Sequence, residues 1–384
     1  MPMKRFVFFI LILLADNSEA QRRLLVDTHN DVLSYQLLTG ADLGQLQNTG
    51  NFDLVRAAEG GLSAQVFSIW CGDTYGKGTA FDHANREIDS LNALIRRNPG
   101  RISLVQNTSE LKKAYKKHKL AAMIGVEGGH MIEDNMDYLD SLTRRGMCYL
   151  TLTWNNSTSW ATSARDETLK ADSLPQLGLN ELGKQIVQRL NETGVMIDVS
   201  HVGETTFYDV LRTTEKPVIA SHSCAYSITP HRRNLKDEQL RALAKNGGVV
   251  FVNFYSGFLD SSYQDKEDRF LEAHKTGLDS LTAIYGADYA SGMLNDLYRK
   301  EADQIRPPLS ALVAHIDYLV KLIGAEHVGI GSDFDGSESY PAGMDSVRDY
   351  PLLTAELKKL GYRKSMIDQI YGKNFLRVWK ANRH

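Results

Sequence analysis

The sequence predicts a (β/α)8 barrel, in which eight parallel strands alternate with helices. The first observation is a series of eight short runs rich in Val, Ile and Leu, as expected for strands buried on both faces. The second is that longer, charged segments of helical period alternate with these runs. The third is that no glycine-rich phosphate turn follows the first run, although the alternative fold, a doubly wound sheet, is expected to have one.

The predicted elements follow one another along the chain. The eight strands are LLVDTHN (24–30), LSAQVFSIW (62–70), AAMIGVEGG (121–129), CYLTLTW (148–154), GVMIDVSH (194–201), PVIASHS (217–223), GVVFVNFY (248–255) and HVGIGSDF (327–334). The clearest helices are 82–97, 180–194, 203–214 and 236–248, and several of them end at Gly or Asn, as helices commonly do. Eight such units favour the barrel over the doubly wound sheet.

One long segment interrupts this alternation after the seventh strand. It runs from Gly257 to about Pro308, is charged and rich in Tyr, and exceeds an ordinary connection between a strand and a helix. Because it would leave the barrel at the carboxyl end of a strand, we expect a rim or lid over the site. A peripheral pair of packing helices is the alternative.

The composition excludes several classes of partner. The chain has 384 residues, a formal charge of −3 and a pI near 6.4, and its Lys and Arg residues are scattered. Neither nucleic acid nor an anionic membrane surface is therefore expected, and a small molecule remains as the partner. Cys71, Cys148 and Cys224 are odd in number and widely spaced, so we expect buried thiols and no disulfide framework.

The first twenty residues resemble a secretory signal. A basic start, MPMKR, is followed by the apolar stretch FVFFILILLA and by small residues at Ser18 and Ala20. This apolar stretch is too short to span a bilayer, and the C-terminal sequence lacks the hydrophobic tail of a glycolipid anchor. We expect removal of residues 1–20, a single domain over residues 21–384, and a periplasmic or secreted protein.

Side chains that bind metals stand at the carboxyl ends of five predicted strands. They are His29 and Asp31 on the first, Glu127 on the third, His201 on the fifth, His222 on the sixth and Asp333 on the eighth. Residues two apart on a strand share a face, and (β/α)8 enzymes assemble their active sites at this end of the barrel. Singly, each has a structural explanation, such as a hydrogen-bonded core histidine, a helix cap or a turn. Together, so many polar groups in one place indicate a bound cation.

The chemistry of these ligands predicts the kind of metal. Three imidazoles with several carboxylates and no thiolate suit zinc first, with manganese and cobalt as alternatives. The ligands outnumber those that one tetrahedral ion uses, so we predict a binuclear site with a bridging carboxylate. Two close cations can generate a hydroxide at neutral pH and polarise a carbonyl group.

Seven motifs resemble the membrane (renal) dipeptidase family of zinc metallopeptidases, which is related to the amidohydrolase barrels. They are DTHND, GVEGGH, RGMCYLTLT, IDVSHV, PVIASHSCAYSITPHRRN, VNFY and VGIGSDFDG, in the order and spacing of that family. The similarity extends from Val26 nearly to the C-terminus. It implies hydrolysis of small dipeptides, two zinc ions per chain, acceptance of a D-residue at the C-terminal position, and a homodimer.

The resemblance also implies a role for each site residue. His29 and Asp31 would bind one zinc, His201 and His222 would bind the other, and Glu127 would bridge the two. Arg233 would bind the substrate carboxylate, for which its planar fork is suited. Asp333 would hold the substrate amine and act as the base that takes the proton of a bridging water, and the resulting hydroxide would attack the amide carbonyl, with Asp335 as the rival base.

The sequence departs from the family at one position. Trp154 stands in LTLTW where the family often has a histidine that contacts the substrate or the tetrahedral intermediate. An indole cannot exchange a proton in that way, although its N–H can donate a hydrogen bond. We therefore predict that Trp154 contacts substrate as a pocket wall or as a donor. Asn155, Asn156 and His130 are candidates to replace the histidine.

Two other functions stay open from the sequence. Related barrels act on lactones, cyclic amides or phosphoesters, so the same metals could serve a different bond. The departure at Trp154 leaves a non-catalytic protein that binds metal and ligand as the second alternative. Replacing Arg233 tests the first alternative, because loss of a carboxylate clamp would impair dipeptide cleavage far more than lactone cleavage. Measuring the metal content together with the turnover of dipeptides tests the non-catalytic alternative.

Overall fold

The computed structural model describes residues 23–383, and the predicted signal segment lies outside them. Within this range one sheet contains nine parallel strands. They are β1 (Val26–Asp27), β2 (Ala64–Trp70), β3 (Ile102–Leu104), β4 (Leu120–Glu127), β5 (Met147–Thr151), β6 (Met196–Asp198), β7 (Ile219–Ser223), β8 (Val249–Val252) and β9 (Val328–Ile330). Neighbours follow the order β1-β2-β4-β5-β6-β7-β8-β9, and β3 pairs with the first residues of β4.

The two ends of this strand order meet and close the sheet into a barrel. The backbone N–H of Thr28 donates to the carbonyl of Ile330 at 3.0 Å, and that of Asp31 donates to the carbonyl of Phe334 at 3.0 Å. We call this junction of residues 28–31 with residues 330–334 the seam. The predicted (β/α)8 barrel is confirmed, and its eight strands are the eight predicted runs.

Helices follow the strands and surround the barrel. The α-helices of the described residues are α1 (Val32–Thr39), α2 (Leu54–Glu59), α3 (Ala80–Arg97), α4 (Thr108–Lys116), α5 (Met136–Arg144), α6 (Ala164–Leu169), α7 (Glu181–Thr193), α8 (Glu204–Thr213), α9 (Asp237–Lys245), α10 (Ser256–Leu259), α11 (Tyr263–Ala273), α12 (Lys275–Tyr285), α13 (Ala287–Leu297), α14 (Arg299–Ile305), α15 (Leu309–Ile323), α16 (Tyr350–Lys359), α17 (Lys364–Asp368) and α18 (Asn374–Asn382). The four clearly predicted helices are α3, α7, α8 and α9. Between residues 23 and 383, no helix has the length and apolar character needed to cross a membrane.

The barrel interior is filled below the carboxyl ends of the strands. Val66, Met123, Tyr149 and Phe251 belong to one buried cluster, which Trp379 of α18 joins. Alternate strand residues belong to the larger cluster that packs against the helices, because side chains alternate between the two faces of a strand. A ligand therefore has room at the carboxyl end of the barrel. Cys71, Cys148 and Cys224 are free and buried, as predicted.

The predicted insertion after the seventh barrel strand is a group of five helices, α10 to α14. Phe270 of α11, Leu294 of α13 and Ala302 of α14 are buried against one another, which gives the insertion a small core of its own. Tyr289 of α13 and Arg299 of α14 line the cavity at the mouth of the barrel. The insertion is therefore a rim element and not a peripheral helix pair.

Candidate metal centre and substrate cavity

Glu127 lies at the centre of the side chains predicted to bind metal. Its Oε2 is 3.3 Å from His29 Nε2, whereas its Oε1 is 2.8 Å from His201 Nε2 and 3.3 Å from His222 Nε2. Asp31 completes the first side, with Oδ2 3.5 Å from His29 Nε2. All five side chains are buried together, and the two oxygens of Glu127 face two different groups, as a bridging carboxylate requires.

These five side chains lie at or just beyond the carboxyl ends of their strands. Glu127 is the last residue of β4, His222 lies within β7, and His29 and Asp31 lie in the seam. His201 follows β6 by three residues and has a left-handed φ of 66°. This conformation costs a residue with a β-carbon about 1–2 kcal/mol, and such strain is concentrated at functional sites.

Hydrogen bonds behind two of the histidines determine which ring nitrogen is free. The Tyr149 hydroxyl donates to the carbonyl of Thr28 at 3.0 Å, so it accepts from His29 Nδ1, 2.8 Å away. The Ser221 hydroxyl likewise donates to Asp198 at 2.6 Å and accepts from His222 Nδ1, 2.8 Å away. Each Nε2 consequently has a lone pair directed at Glu127, the tautomer that binds a metal ion.

Two buried aspartates behind the site were missed from the sequence. Asp198 accepts from the backbone N–H groups of Ser200 and Ser221 and from the hydroxyls of Ser221 and Thr151. Asp27 accepts from the hydroxyl of Tyr350 at 2.6 Å and from Ser332 in the seam. The sequence did contain a signal for both residues. Each Asp lies within an apolar strand, shortly before a histidine that was predicted to bind metal, and an Asp in such a position must be buried and paired.

The electrostatics of the cluster favour a positive charge at its centre. Burial lowers the pKa of His29, but Tyr149 and the carboxylates of Glu127 and Asp31 together raise it well above the usual value. Burial and the Arg233 guanidinium lower the pKa of His201 to about 3, so that ring is neutral and able to ligate. His29 Nε2 and Asp31 Oδ1 are buried without hydrogen-bond partners. These residues therefore fit divalent cations, with borderline nitrogen and oxygen donors typical of zinc.

Asp333 lies beside this cluster, in the seam. Its Oδ1 is 3.8 Å from His29 Nε2, and its Oδ2 accepts from Asn253 Nδ2 at 2.9 Å and from the Ser337 hydroxyl at 2.8 Å. A β-carbon on Gly336 would lie 1.9 Å from Asp31 Oδ2 and 2.4 Å from Asp333 Oδ1, so glycine is needed there. Burial and the nearby acids raise the pKa of Asp333 to about 8.

Asp335, the rival of Asp333, is engaged in a different contact. Its Oδ1 accepts from the backbone N–H of Asn51 at 2.7 Å, and its own N–H donates to Asn51 Oδ1 at 3.1 Å. This reciprocal pair attaches the loop after α1 to the end of β9. Asp333, in contrast, has its Oδ1 3.8 Å from His29 Nε2.

A cavity of about 850 Å³ opens above the cluster. Arg233 lines it, is buried, and donates from Nη2 to the carbonyl of His222 at 3.2 Å. Its Nε has no hydrogen-bond partner, and the guanidinium lies 5.5 Å from the ring of Phe258. An arginine held in this way has donors left for an anionic group of a ligand.

Trp154 also lines the cavity, with its ring 6.4 Å from that of His201 and 5.1 Å from that of Trp70. Of the three candidates to replace the family histidine, Asn155 lines the cavity. His130 instead has Nε2 3.0 Å from the backbone carbonyl of Cys71, and Asn156 is not among the lining residues. Trp154 is therefore part of the cavity wall, and its contact with substrate stays a prediction.

Comparison with known proteins identifies similar sequences over the whole described chain. Residues 18–384 match the family described as membrane dipeptidase, peptidase family M19. An uncharacterized dipeptidase of Schizosaccharomyces pombe is 32% identical over 374 residues, which cover 93% of this chain and 80% of the relative.

Solved structures share the fold. The probable dipeptidase PvdM from Pseudomonas aeruginosa is 28% identical, with a TM-score of 0.76 over 94% of this chain and 96% of that one. A metallo peptidase from Rhodobacter sphaeroides, liganded with a phosphinate mimic of the dipeptide L-Ala-D-Ala, is 23% identical. Its TM-score is 0.75 over 94% of this chain and 99% of that one, and the likeness is one of fold.

Proposed function

Because the chain belongs to the membrane dipeptidase family, peptidase family M19, and is thus a dipeptidase-like metallopeptidase, we propose that it hydrolyses dipeptides with two zinc ions. The observation that carries this proposal is the position of Glu127 between His29 on one side and His201 and His222 on the other. Asp31 would join His29 as a ligand. Two bound cations would supply an acidified water and a polarised carbonyl at neutral pH.

The residues of the chain would position the substrate and move the proton. Arg233 would receive the C-terminal carboxylate on its free donors, and Asp333 would receive the N-terminal ammonium group. Asn253 and Ser337 hold one oxygen of Asp333, so the other stays directed at the centre. From there Asp333 would accept the proton of the attacking water and deliver it to the leaving amine.

The two charged contacts would also limit the length of the substrate. A longer peptide would leave Arg233 or Asp333 without its partner, and an unpaired buried charge costs a few kcal/mol. Acceptance of a D-residue at the C-terminal position is part of the proposal and rests on the motifs shared with the family.

A turnover screen with and without a chelator tests the proposed function. L,L and L,D dipeptides would be compared with their tripeptide extensions, with a neutral lactone and with a phosphoester, and metal content would be measured in parallel. We expect dipeptide cleavage that the chelator abolishes and that zinc restores. A protein that retains two zinc ions but cleaves no dipeptide would contradict the proposal and favour a binding role.

We further propose that the protein is exported and acts as a homodimer. The basic and apolar N-terminal sequence supports export, and the family motifs support the dimer. N-terminal sequencing of the mature protein should find a start near residue 21, and light scattering should give twice the chain mass. A mature protein that begins at Met1, or a monomeric mass, would refute the respective part.

A further inference from the structure

One wall of the cavity combines three aromatic rings with two carboxylates. The ring of Trp70, at the end of β2, lies 5.1 Å from that of Trp154 and 6.1 Å from that of Tyr289, and both pairs meet edge to face. Asp288 and Glu338 line the same cavity. We call these five residues the aromatic–acidic wall. Trp70 is more than nine-tenths buried, and its indole N–H has no hydrogen-bond partner, which is unusual for a buried polar group.

The two carboxylates of the wall lack a cationic partner. Among residues 23–383, no Lys or Arg nitrogen lies within 4.0 Å of Asp288 or Glu338. Two other acids that line the cavity, Asp303 and Asp345, are compensated, since they lie 2.7 and 2.6 Å from nitrogens of Arg306. Burial raises the pKa of Glu338, and the charge of Asp288 raises it further, so the two carboxylates share one negative region.

The wall adjoins the place where the substrate amine would lie. Glu338 follows Ser337, whose hydroxyl donates to Asp333 at 2.8 Å. Asp288 lies against the backbone two residues beyond the end of β2, where a β-carbon on Gly72 would be 2.4 Å from its Oδ2. The side chain of the N-terminal residue is therefore the part of a dipeptide that comes nearest to this wall.

We propose that the aromatic–acidic wall is the subsite for the N-terminal side chain and that it selects a cationic one, as in lysyl and arginyl dipeptides. Indole and phenol rings attract a cation at their faces. Carboxylates form strong charge-assisted hydrogen bonds with such a group. A subsite for an apolar side chain would have the rings alone, whereas here Asp288 and Glu338 give the wall a net negative charge.

The inference rests on the proposed dipeptidase function. A pair of substrates that differ only in side-chain charge distinguishes failure of the inference from failure of the dipeptidase function. We would measure kcat/KM for lysyl-alanine and for norleucyl-alanine, whose side chains have nearly the same length but differ in charge, with zinc-loaded full-length enzyme. We expect a preference of about tenfold or more for the lysyl substrate, as one charged hydrogen bond provides. Asp288→Asn and Glu338→Gln should each lower kcat/KM for lysyl-alanine about tenfold and leave norleucyl-alanine within about twofold.

Asp303→Asn is the matched control, because it removes the same charge from the cavity where an arginine already compensates it. This variant should change kcat/KM for the two substrates by the same factor. The proposed subsite would be refuted if the wild type cleaved the two substrates at equal rates. It would also be refuted if the preference for the lysyl substrate survived in Asp288→Asn and Glu338→Gln. A preference for lysine at the C-terminal position would also overturn it. Norleucyl-alanine cleavage reports that each variant is folded, and failure to cleave either substrate in the wild type would refute the dipeptidase function instead.

Discussion

Replacing Tyr149 with phenylalanine should weaken metal binding without altering any ligand. The variant keeps the ring that packs against Gly125 and removes the hydroxyl that lies between His29 Nδ1 and the carbonyl of Thr28. His29 is fully buried, so no water replaces the lost partner easily and the ring is free to adopt the wrong tautomer or tilt. Loss of such a supporting hydrogen bond costs 10- to 100-fold in metal affinity, which is about 1.4–2.8 kcal/mol.

The assay is competition for zinc between the protein and a chromogenic chelator, with the unfolding midpoint of the metal-free protein as a second reading. Tyr371→Phe is the matched control, because it removes another buried hydroxyl, bonded to Thr354 at 2.9 Å and remote from the site. Both variants should lose about 1–2 kcal/mol of stability without metal, but Tyr149→Phe alone should lose zinc affinity. Equal zinc affinity in the two variants would refute the argument that Tyr149 sets the His29 tautomer.

Three further predictions address other parts of the molecule. Glu127→Gln should reduce the zinc content measured by mass spectrometry from about two ions per chain to fewer than one, because both sides lose the shared anion; retention of both ions would exclude a bridging role. Arg233→Met should lower kcat/KM for a dipeptide about 10- to 100-fold but leave its C-terminal amide nearly unchanged, and equal losses on both would contradict the carboxylate clamp. Burial and the neighbouring Glu338 raise the pKa of Glu267 to about 7, so this carboxyl should contribute a loss of about 1–3 kcal/mol between about pH 5 and pH 7, where the unfolded state alone has released its proton. Chemical denaturation should find the loss over this range smaller by about that amount in Glu267→Gln and unchanged when the exposed Glu272 is replaced by Gln, and an unchanged loss in Glu267→Gln would refute the assignment.

The barrel and the ligand cluster were predictable from sequence because both depend on periodic patterns. Apolar runs identified all eight barrel strands, and the ends of those runs identified the five predicted metal ligands, which the structure brings together. The strand β3 was missed because its three residues give no run, and two of them are partly exposed. Its pairing depends on β4, a tertiary contact that no local pattern records.

The supporting residues were less predictable, for a related reason. Tyr149 and Tyr350 act through hydroxyls that contact His29 and Asp27, each more than one hundred residues away in sequence. Asp288 and Tyr289 belong to a helix of the insertion, whose sequence predicts helices but not the side of the cavity on which they pack. Contacts of this kind follow from assembly of the whole fold.

The seam has a consequence for how the protein matures. His29 and Asp31 come from the beginning of the described chain, Asp333 comes from near its end, and the backbone hydrogen bonds between residues 28–31 and 330–334 hold them together. A nascent chain whose ninth strand has not been synthesised lacks half of this junction, so the site is completed only when the polypeptide is nearly finished. Fragments that end before β9 lack Asp333 and the backbone hydrogen bonds that hold residues 28–31, and should therefore be inactive.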